Sequence, residues 1–123
     1  MKVYLRKLFK HDITHEVSVS KNIILLFFEG KVKGLTFVKE GQNDGHKYDV
    51  TINSATDPRF GGEFKSIYRE QNVKEGDILV IRKKGDIYEL SVIFEHSDIY
   101  EKVSRVFSGS ERHAIVDEKL LEE

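Results

Sequence analysis

The chain has 123 residues and a mass of 14.3 kDa, with 33% charged residues, 39% hydrophobic residues, a net charge of -1 and no cysteine. This length is that of one domain, and eight Phe and five Tyr supply aromatic surface for a hydrophobic core, so a fully disordered chain is excluded. The lack of cysteine also excludes a disulfide scaffold, a thiolate nucleophile and a cysteine zinc site.

The charges are distributed unevenly along the chain. Residues 1–105 carry 18 Lys and Arg against 16 Asp and Glu, whereas residues 106–123 carry 2 against 5. We therefore predict one mildly basic domain over residues 1–107, followed by an acidic C-terminal tail or linker over residues 108–123. The longest apolar run has six residues, far short of the ~20 that a membrane helix needs, so we expect a soluble, cytoplasmic protein without membrane contact.

Short strands dominate the predicted elements. Apolar residues alternate with polar ones at Val17 and Val19, at Leu35 and Phe37, and again over residues 48–52. A period of two residues is typical of half-buried β-strands. Short strands at this spacing favour a closed or half-closed β-barrel over a doubly wound α/β fold.

A β-hairpin is the clearest single element. Two β-rich runs, residues 78–81 and 87–94, are joined by a short turn that contains Gly85. Gly76 and Asp77 are turn residues placed just before the first run, so we expect that strand to begin sharply at residue 78.

Helix signals are few. Residues 22–29 fit a short buried helix or a continuous buried strand, and we favour the helix. Asp98 and Glu101 have the spacing of a capping box, which predicts a helix over residues 98–107 covering one end of the sheet. Residues 116–123 form either one helical turn or a frayed end.

One cluster has the composition of a metal site. His11 and His15 are accompanied by Asp12 and Glu16, and histidines four residues apart share one face of a helix. We do not expect a helix here, because a strand pattern follows at once, and histidines four apart in a strand lie too far apart for joint ligation. We therefore expect a polar loop with no metal or other cofactor, whose histidines can contact phosphates or base edges.

No constellation of catalytic groups is found. Asp77, Asp86 and Glu89 are the nearest approach to an acidic nuclease triad, but the two aspartates occupy turn positions where Asp is common. Gly61 and Gly62 lack the strand-to-helix context of a phosphate-binding loop. We therefore expect a protein without enzymatic activity of its own.

Two polar stretches rich in cations lie outside the hydrophobic pattern, residues 6–15 and residues 59–72. Their side chains are of the types used in base recognition: Arg binds guanine, Asn and Gln bind adenine, Glu accepts from cytosine, and Lys or Ser holds phosphates. Solvated strand edges or loops would have a similar composition in so highly charged a chain. The composition alone therefore leaves DNA binding and plain solvated surface as alternatives.

The order of the segments resembles a known family. Residues 4–94 contain in succession KHDITHE, VSVSK, NIILLFFE and GEFKSIYREQNVKEGDILVIRKKGDIYELSVI. This succession is similar to the B3-like DNA-binding pseudobarrel, in particular to the N-terminal effector-binding domain of EcoRII-type restriction endonucleases and its stand-alone relatives. The resemblance implies a mainly β, seven-stranded open barrel with one or two short helices, and a cleft that sits on the major groove.

In such a domain the base contacts come from two arms. By this resemblance the N-terminal arm comprises Arg6, Lys7, Lys10, His11, Asp12, Thr14 and His15. The C-terminal arm comprises Glu63, Lys65, Ser66, Tyr68 and Arg69, in a strand that leads towards the final hairpin, with Arg59 on the preceding turn. The resemblance thus implies a non-catalytic recognition module for double-stranded DNA, a monomer or weak dimer, whose nuclease domain is fused or encoded separately.

Two other functions fit the sequence. A regulator barrel would dimerise through exposed strand edges and bind no DNA. A barrel for single-stranded nucleic acid would stack bases on Phe9, Phe60, Phe64 and Tyr68. For the duplex-binding function, the low net charge predicts weak non-specific binding and a modest dependence on salt.

Overall fold

A single curled sheet of seven strands organises the chain as a half-barrel. The computed structural model describes residues 1–41, 45–53 and 56–122. The strands are β1 (Lys2–Lys7), β2 (Leu35–Lys39), β3 (Tyr48–Asn53), β4 (Arg59–Gly62), β5 (Ile78–Lys84), β6 (Ile87–Ile93) and β7 (His113–Asp117). The predicted mainly β fold with a seven-stranded open barrel is confirmed.

The helices are all short. In the described part of the chain they are α1 (Lys10–Thr14), α2 (Lys21–Leu26), α3 (Phe64–Arg69) and α4 (Tyr100–Ser104), with a 3-10 turn at Glu118–Leu121. Four α-helices are thus present where one or two were predicted. Within the described ranges, no helix combines the length and the apolar character that crossing a bilayer would require.

The strands follow the order β4-β3-β2-β6-β5-β1-β7, and neighbours are antiparallel except for the parallel pair β2 and β6. The predicted hairpin is confirmed as β5 and β6. Its start is fixed by the buried Asp77 carboxylate, which accepts hydrogen bonds from the backbone amides of Lys74 (2.8 Å) and Glu95 (3.0 Å). This use of Asp77 is structural, as expected for a turn aspartate.

Hydrophobic side chains pack on both faces of the sheet. Because side chains alternate along a strand, the residues of β1 contribute to both clusters. Tyr4 points into the larger cluster, which fills the concave side with aromatic residues such as Phe28 and Phe37. Val3 and Leu5 point into a smaller cluster beneath α4 and β7. Both faces of β1 are therefore buried.

The C-terminal segment belongs to the sheet. Strand β7 pairs with β1 in antiparallel register, from Arg6 opposite His113 to Lys2 opposite Asp117. Residues 113–117, which lie beyond the predicted domain end at residue 107 and within the predicted acidic tail or linker of residues 108–123, therefore form a strand of the sheet. The acidic residues flank a run of three apolar residues, of which Ala114 and Val116 pack against the smaller cluster and Ile115 against the larger one.

Three further local predictions have different outcomes. The helix predicted within residues 22–29 is confirmed as α2, which the Ser20 hydroxyl caps by accepting from the Ile23 amide (3.1 Å). The strand predicted around residues 17–19 is reduced to one bridge between Ser18 and Arg59. The capping box predicted for the helix over residues 98–107 does not form, because α4 begins later, behind an N-cap residue without a side-chain cap.

Burial of His113 predicts a pH-dependent stability. Burial, together with the nearby positive charges of Arg6 and Arg112, lowers the pKa of His113 from 6.5 to about 4, and its Nδ1 lies 2.8 Å from the Tyr4 hydroxyl. Between these two pH values the unfolded chain binds a proton at this histidine that the folded chain does not bind. The free energy of unfolding should therefore fall as the pH is lowered from about 6.5 towards 4.

Urea unfolding of the wild-type protein and of His113→Gln at pH 7 and pH 5 checks this expectation, since Gln keeps an acceptor for Tyr4 but does not titrate. The variant should lose less stability than the wild type between the two pH values. Equal losses would contradict the assignment of this pH dependence to His113.

Candidate nucleic-acid interface

A cleft of about 560 Å³ lies between α1 and the segment formed by β4 and α3. It gathers side chains that are far apart in the sequence. Of the residues predicted to contact DNA, those that line the cleft are His11, Thr14, His15, Arg59, Lys65, Tyr68 and Arg69. Both predicted arms therefore contribute to one concave surface.

The N-terminal wall of the cleft is α1, a single helical turn where a loop was expected. The Asp12 carboxylate stabilises this turn by accepting from the Phe9 amide (2.8 Å). The exposed rings of His11 and His15 stack with centroids 4.3 Å apart and planes 7° apart, and Thr14 Oγ1 lies 2.7 Å from His15 Nδ1. This wall presents ring nitrogens and a hydroxyl, which can donate or accept hydrogen bonds.

No group of three or more metal-ligating side chains converges anywhere in the described ranges.

The C-terminal wall of the cleft is α3, and the predicted strand there is wrong. Phe64, Ile67 and Tyr68 are spaced i, i+3 and i+4, and all three are buried, whereas Lys65 and Arg69 are exposed. This is the pattern of an amphipathic helix. The helix therefore buries its aromatic face and leaves cations on its outer face.

A glycine controls the turn from β4 into α3. Gly62 has a positive φ of 63°, and a Cβ atom there would come within 2.7 Å of the Asp49 carbonyl oxygen. Only glycine fits this close approach without strain. The next residue, Glu63, also contributes to this turn, because its carboxylate accepts a hydrogen bond from the Asp49 amide (2.9 Å).

The floor of the cleft is aromatic and closely packed. The ring of Phe60 stacks on that of Phe64 with centroids 4.1 Å apart, and Phe64 stacks on Tyr68 at 5.8 Å. These three residues are only 3%, 2% and 7% exposed. They therefore offer no free ring face for a base, which argues against the single-strand barrel.

Two residues predicted to contact DNA are instead buried in an ion pair. Arg6 and Asp12 are both 0% exposed, and Arg6 Nη2 donates to Asp12 Oδ1 at 2.7 Å. Arg6 also donates to the Ser18 carbonyl (3.1 Å), to the Ser18 hydroxyl (2.9 Å) and to the Lys7 carbonyl. Arg6 and Asp12, both assigned to the N-terminal arm by the resemblance, are thus buried, and the guanidinium has four protein acceptors.

The same network joins the two walls of the cleft. The Tyr68 hydroxyl on α3 donates to the Asp12 carbonyl on α1 at 3.1 Å. Burial, and after it the Asp12 charge, raises the pKa of Tyr68, so its hydroxyl remains a donor at neutral pH. Ser18, which Arg6 holds, forms the bridge to Arg59 at the start of β4. The buried ion pair thus sets the position of α1 relative to β4 and α3.

The exposed cations of the cleft differ in their partners. Arg59 pairs with Asp57 at 2.6 Å and also donates to the Glu16 carbonyl at 3.4 Å. Lys65 and Arg69, by contrast, form no ion pair with any residue that the structure describes. These two positive charges are available to a bound anion.

The remaining predicted contact residues do not line the cleft. These are Arg6, Lys7, Lys10, Asp12, Glu63 and Ser66. Lys10 and Ser66 are nevertheless exposed on the helices that form its walls. The cleft also includes Glu16 and Asn53, which were not predicted. Asn53 is the last residue of β3 and lies outside both predicted arms.

No family model and no curated protein sequence matches the chain. Among solved structures, it is similar to the N-terminal domain of Helicobacter pylori LlaJI.R1, with a TM-score of 0.84 and 26% sequence identity. The two domains share one fold. The similarity covers 95% of this chain and 98% of that one, so it extends over the whole domain.

Proposed function

We propose that this chain is a sequence-specific module for double-stranded DNA, and that it serves as the recognition domain of a restriction system. It contacts the major groove with α1 and α3 and leaves DNA cleavage to a nuclease domain or subunit. The observation that carries this proposal is one cleft lined by both arms. Lys65 and Arg69, which form no ion pair with a described residue, lie on one wall, and two imidazoles lie on the other.

The fold supports the proposal independently. The structural neighbour is the N-terminal domain of a restriction-system protein, and the similarity covers nearly all of both chains. The restriction-enzyme resemblance of the sequence points to the same class of protein.

The side chains of the two walls suit different contacts, some with base edges and others with phosphates. Arg69, exposed on α3, can form paired hydrogen bonds with a guanine edge, whereas Lys65 is better suited to a phosphate. The imidazoles of His11 and His15 can donate to or accept from base edges. Because the buried network fixes the distance between the walls, these groups are preorganised for DNA binding.

A binding selection on a randomised duplex library at about 100 mM salt tests the proposal, with a single-stranded pool run in parallel. We expect a short enriched duplex motif and no enrichment of single strands. If about four phosphates are neutralised, the logarithm of the association constant should fall with the logarithm of salt concentration with a slope of about -3 to -4.

The alternative functions give different outcomes in the same experiment. Enrichment of the single-stranded pool alone would favour the single-strand barrel despite its buried floor. Failure to enrich either pool, together with a concentration-dependent dimer in sedimentation, would overturn the proposal in favour of the dimerising regulator.

A further inference from the structure

A third cationic element adjoins the N-terminal wall of the cleft, and it comes from the segment just before β7. The Arg112 guanidinium lies over the ring of Phe9, with Cζ 4.5 Å from the ring centroid. The Arg112 carbonyl accepts from the Lys7 amide at 2.9 Å, which anchors this part of the chain beside the end of β1. Since Phe9 is the N-cap residue of α1, the arginine lies next to the start of this helix.

Three carboxylates of this region accept hydrogen bonds from other donors. Asp12 accepts from Arg6 and from the Phe9 amide, and Asp77 accepts from two backbone amides. Glu111, the residue next to Arg112, accepts from the Ser108 amide at 2.9 Å.

The cations of the same region are not engaged in this way. Among the described residues, Lys7, Lys10 and Arg112 form no ion pair with a carboxylate. Three positively charged residues thus adjoin Phe9, Lys7 and Lys10 in the sequence and Arg112 in space, although the net charge of the chain is -1. Such positive charges attract a polyanion.

We propose that Arg112 is a phosphate-binding residue, and that the DNA surface extends from the cleft past α1 to the segment before β7. This inference rests on the proposed function. Stacking on Phe9 restricts the Arg112 side chain, so less conformational entropy is lost when its N–H groups bind a phosphate. Because a phosphate contact carries no sequence information, Arg112 would add affinity and orientation without changing base preference.

The test compares Arg112→Gln with Arg105→Gln, a matched control. Arg105 is exposed and directly follows α4, whose Val103 packs in the smaller cluster on the sheet face opposite Tyr4. Affinity is measured by fluorescence anisotropy as a function of salt, on the motif duplex from the selection and on a scrambled duplex. Thermal unfolding of each variant checks that it is folded.

We expect Arg112→Gln to weaken binding to both duplexes by a similar factor of about three to ten, and to make the salt slope shallower by about 1. Arg105→Gln should bind like the wild type. A folded Arg112→Gln protein with wild-type affinity and slope would overturn the role of Arg112 while leaving the proposed function intact. A wild-type protein that binds no duplex would overturn both, and a loss confined to the motif duplex would make Arg112 a base contact instead.

Discussion

Replacement of Arg6 by Glu is expected to abolish folding. The new carboxylate would face Asp12 in a site where both residues are 0% exposed, and the Ser18 and Lys7 carbonyls would lose their donor. Breaking a buried ion pair by removing one partner costs about 3–5 kcal/mol, and a second buried negative charge adds to this cost. Since small domains are stable by only about 5–15 kcal/mol, little or no folded protein should remain.

Circular dichroism and urea unfolding measure this effect, and two further variants make the result specific. Asp12→Asn keeps the shape of the side chain but removes its charge, and it should lower the free energy of unfolding by about 3–5 kcal/mol. The double variant Arg6→Met/Asp12→Leu should be more stable than Asp12→Asn, because no buried charge is left unpaired. An Arg6→Glu protein that unfolds at the wild-type urea concentration would contradict the structural role of Arg6.

The mainly β fold could be predicted from the sequence because several strands show clear local patterns of β-favouring residues and turn residues. The β5 and β6 hairpin combines two β-rich runs with a glycine turn, and its prediction is confirmed. Strand β7 was not predicted, because its three apolar residues are flanked by acidic ones and the excess of acidic residues over residues 106–123 indicated a tail. Its pairing with β1 and its β-branched Ile115 and Val116 both favour the strand conformation.

The candidate site was only partly predictable, for a physical reason. Composition identified both polar stretches, but it cannot distinguish an arginine that is solvated from one that is buried with a carboxylate. Arg6 and Arg69 have the same chemistry, and only the tertiary contacts separate them: one is enclosed by Asp12 and Ser18, the other lies on the outer face of α3. The i, i+3 and i+4 spacing of Phe64, Ile67 and Tyr68 is a helical signal in the sequence, and it disagrees with the strand that the resemblance implies.

Replacement of Arg69 by Glu, in contrast to Arg6→Glu, should leave folding normal and cause a large loss of DNA binding. Arg69 is exposed and has no ion-pair partner among the described residues, so the free energy of unfolding should change by no more than about 0.5 kcal/mol. An arginine contact with a base edge is worth about 1–3 kcal/mol, which corresponds to a five- to 150-fold loss of affinity for the motif duplex. The reversed charge adds repulsion from the phosphates.

A second variant at the same position separates base recognition from charge. Arg69→Lys keeps the charge but cannot form the paired hydrogen bonds, so it should reduce the preference for the motif over a scrambled duplex while the salt slope stays unchanged. Competition binding with the two duplexes at several salt concentrations gives both quantities. If Arg69→Lys retains full preference, Arg69 contacts only phosphate, and base recognition must come from the imidazole wall of the cleft. If Arg69→Glu folds and binds both duplexes as the wild type does, α3 does not face the DNA, because a reversed charge at a DNA-contacting surface cannot be neutral.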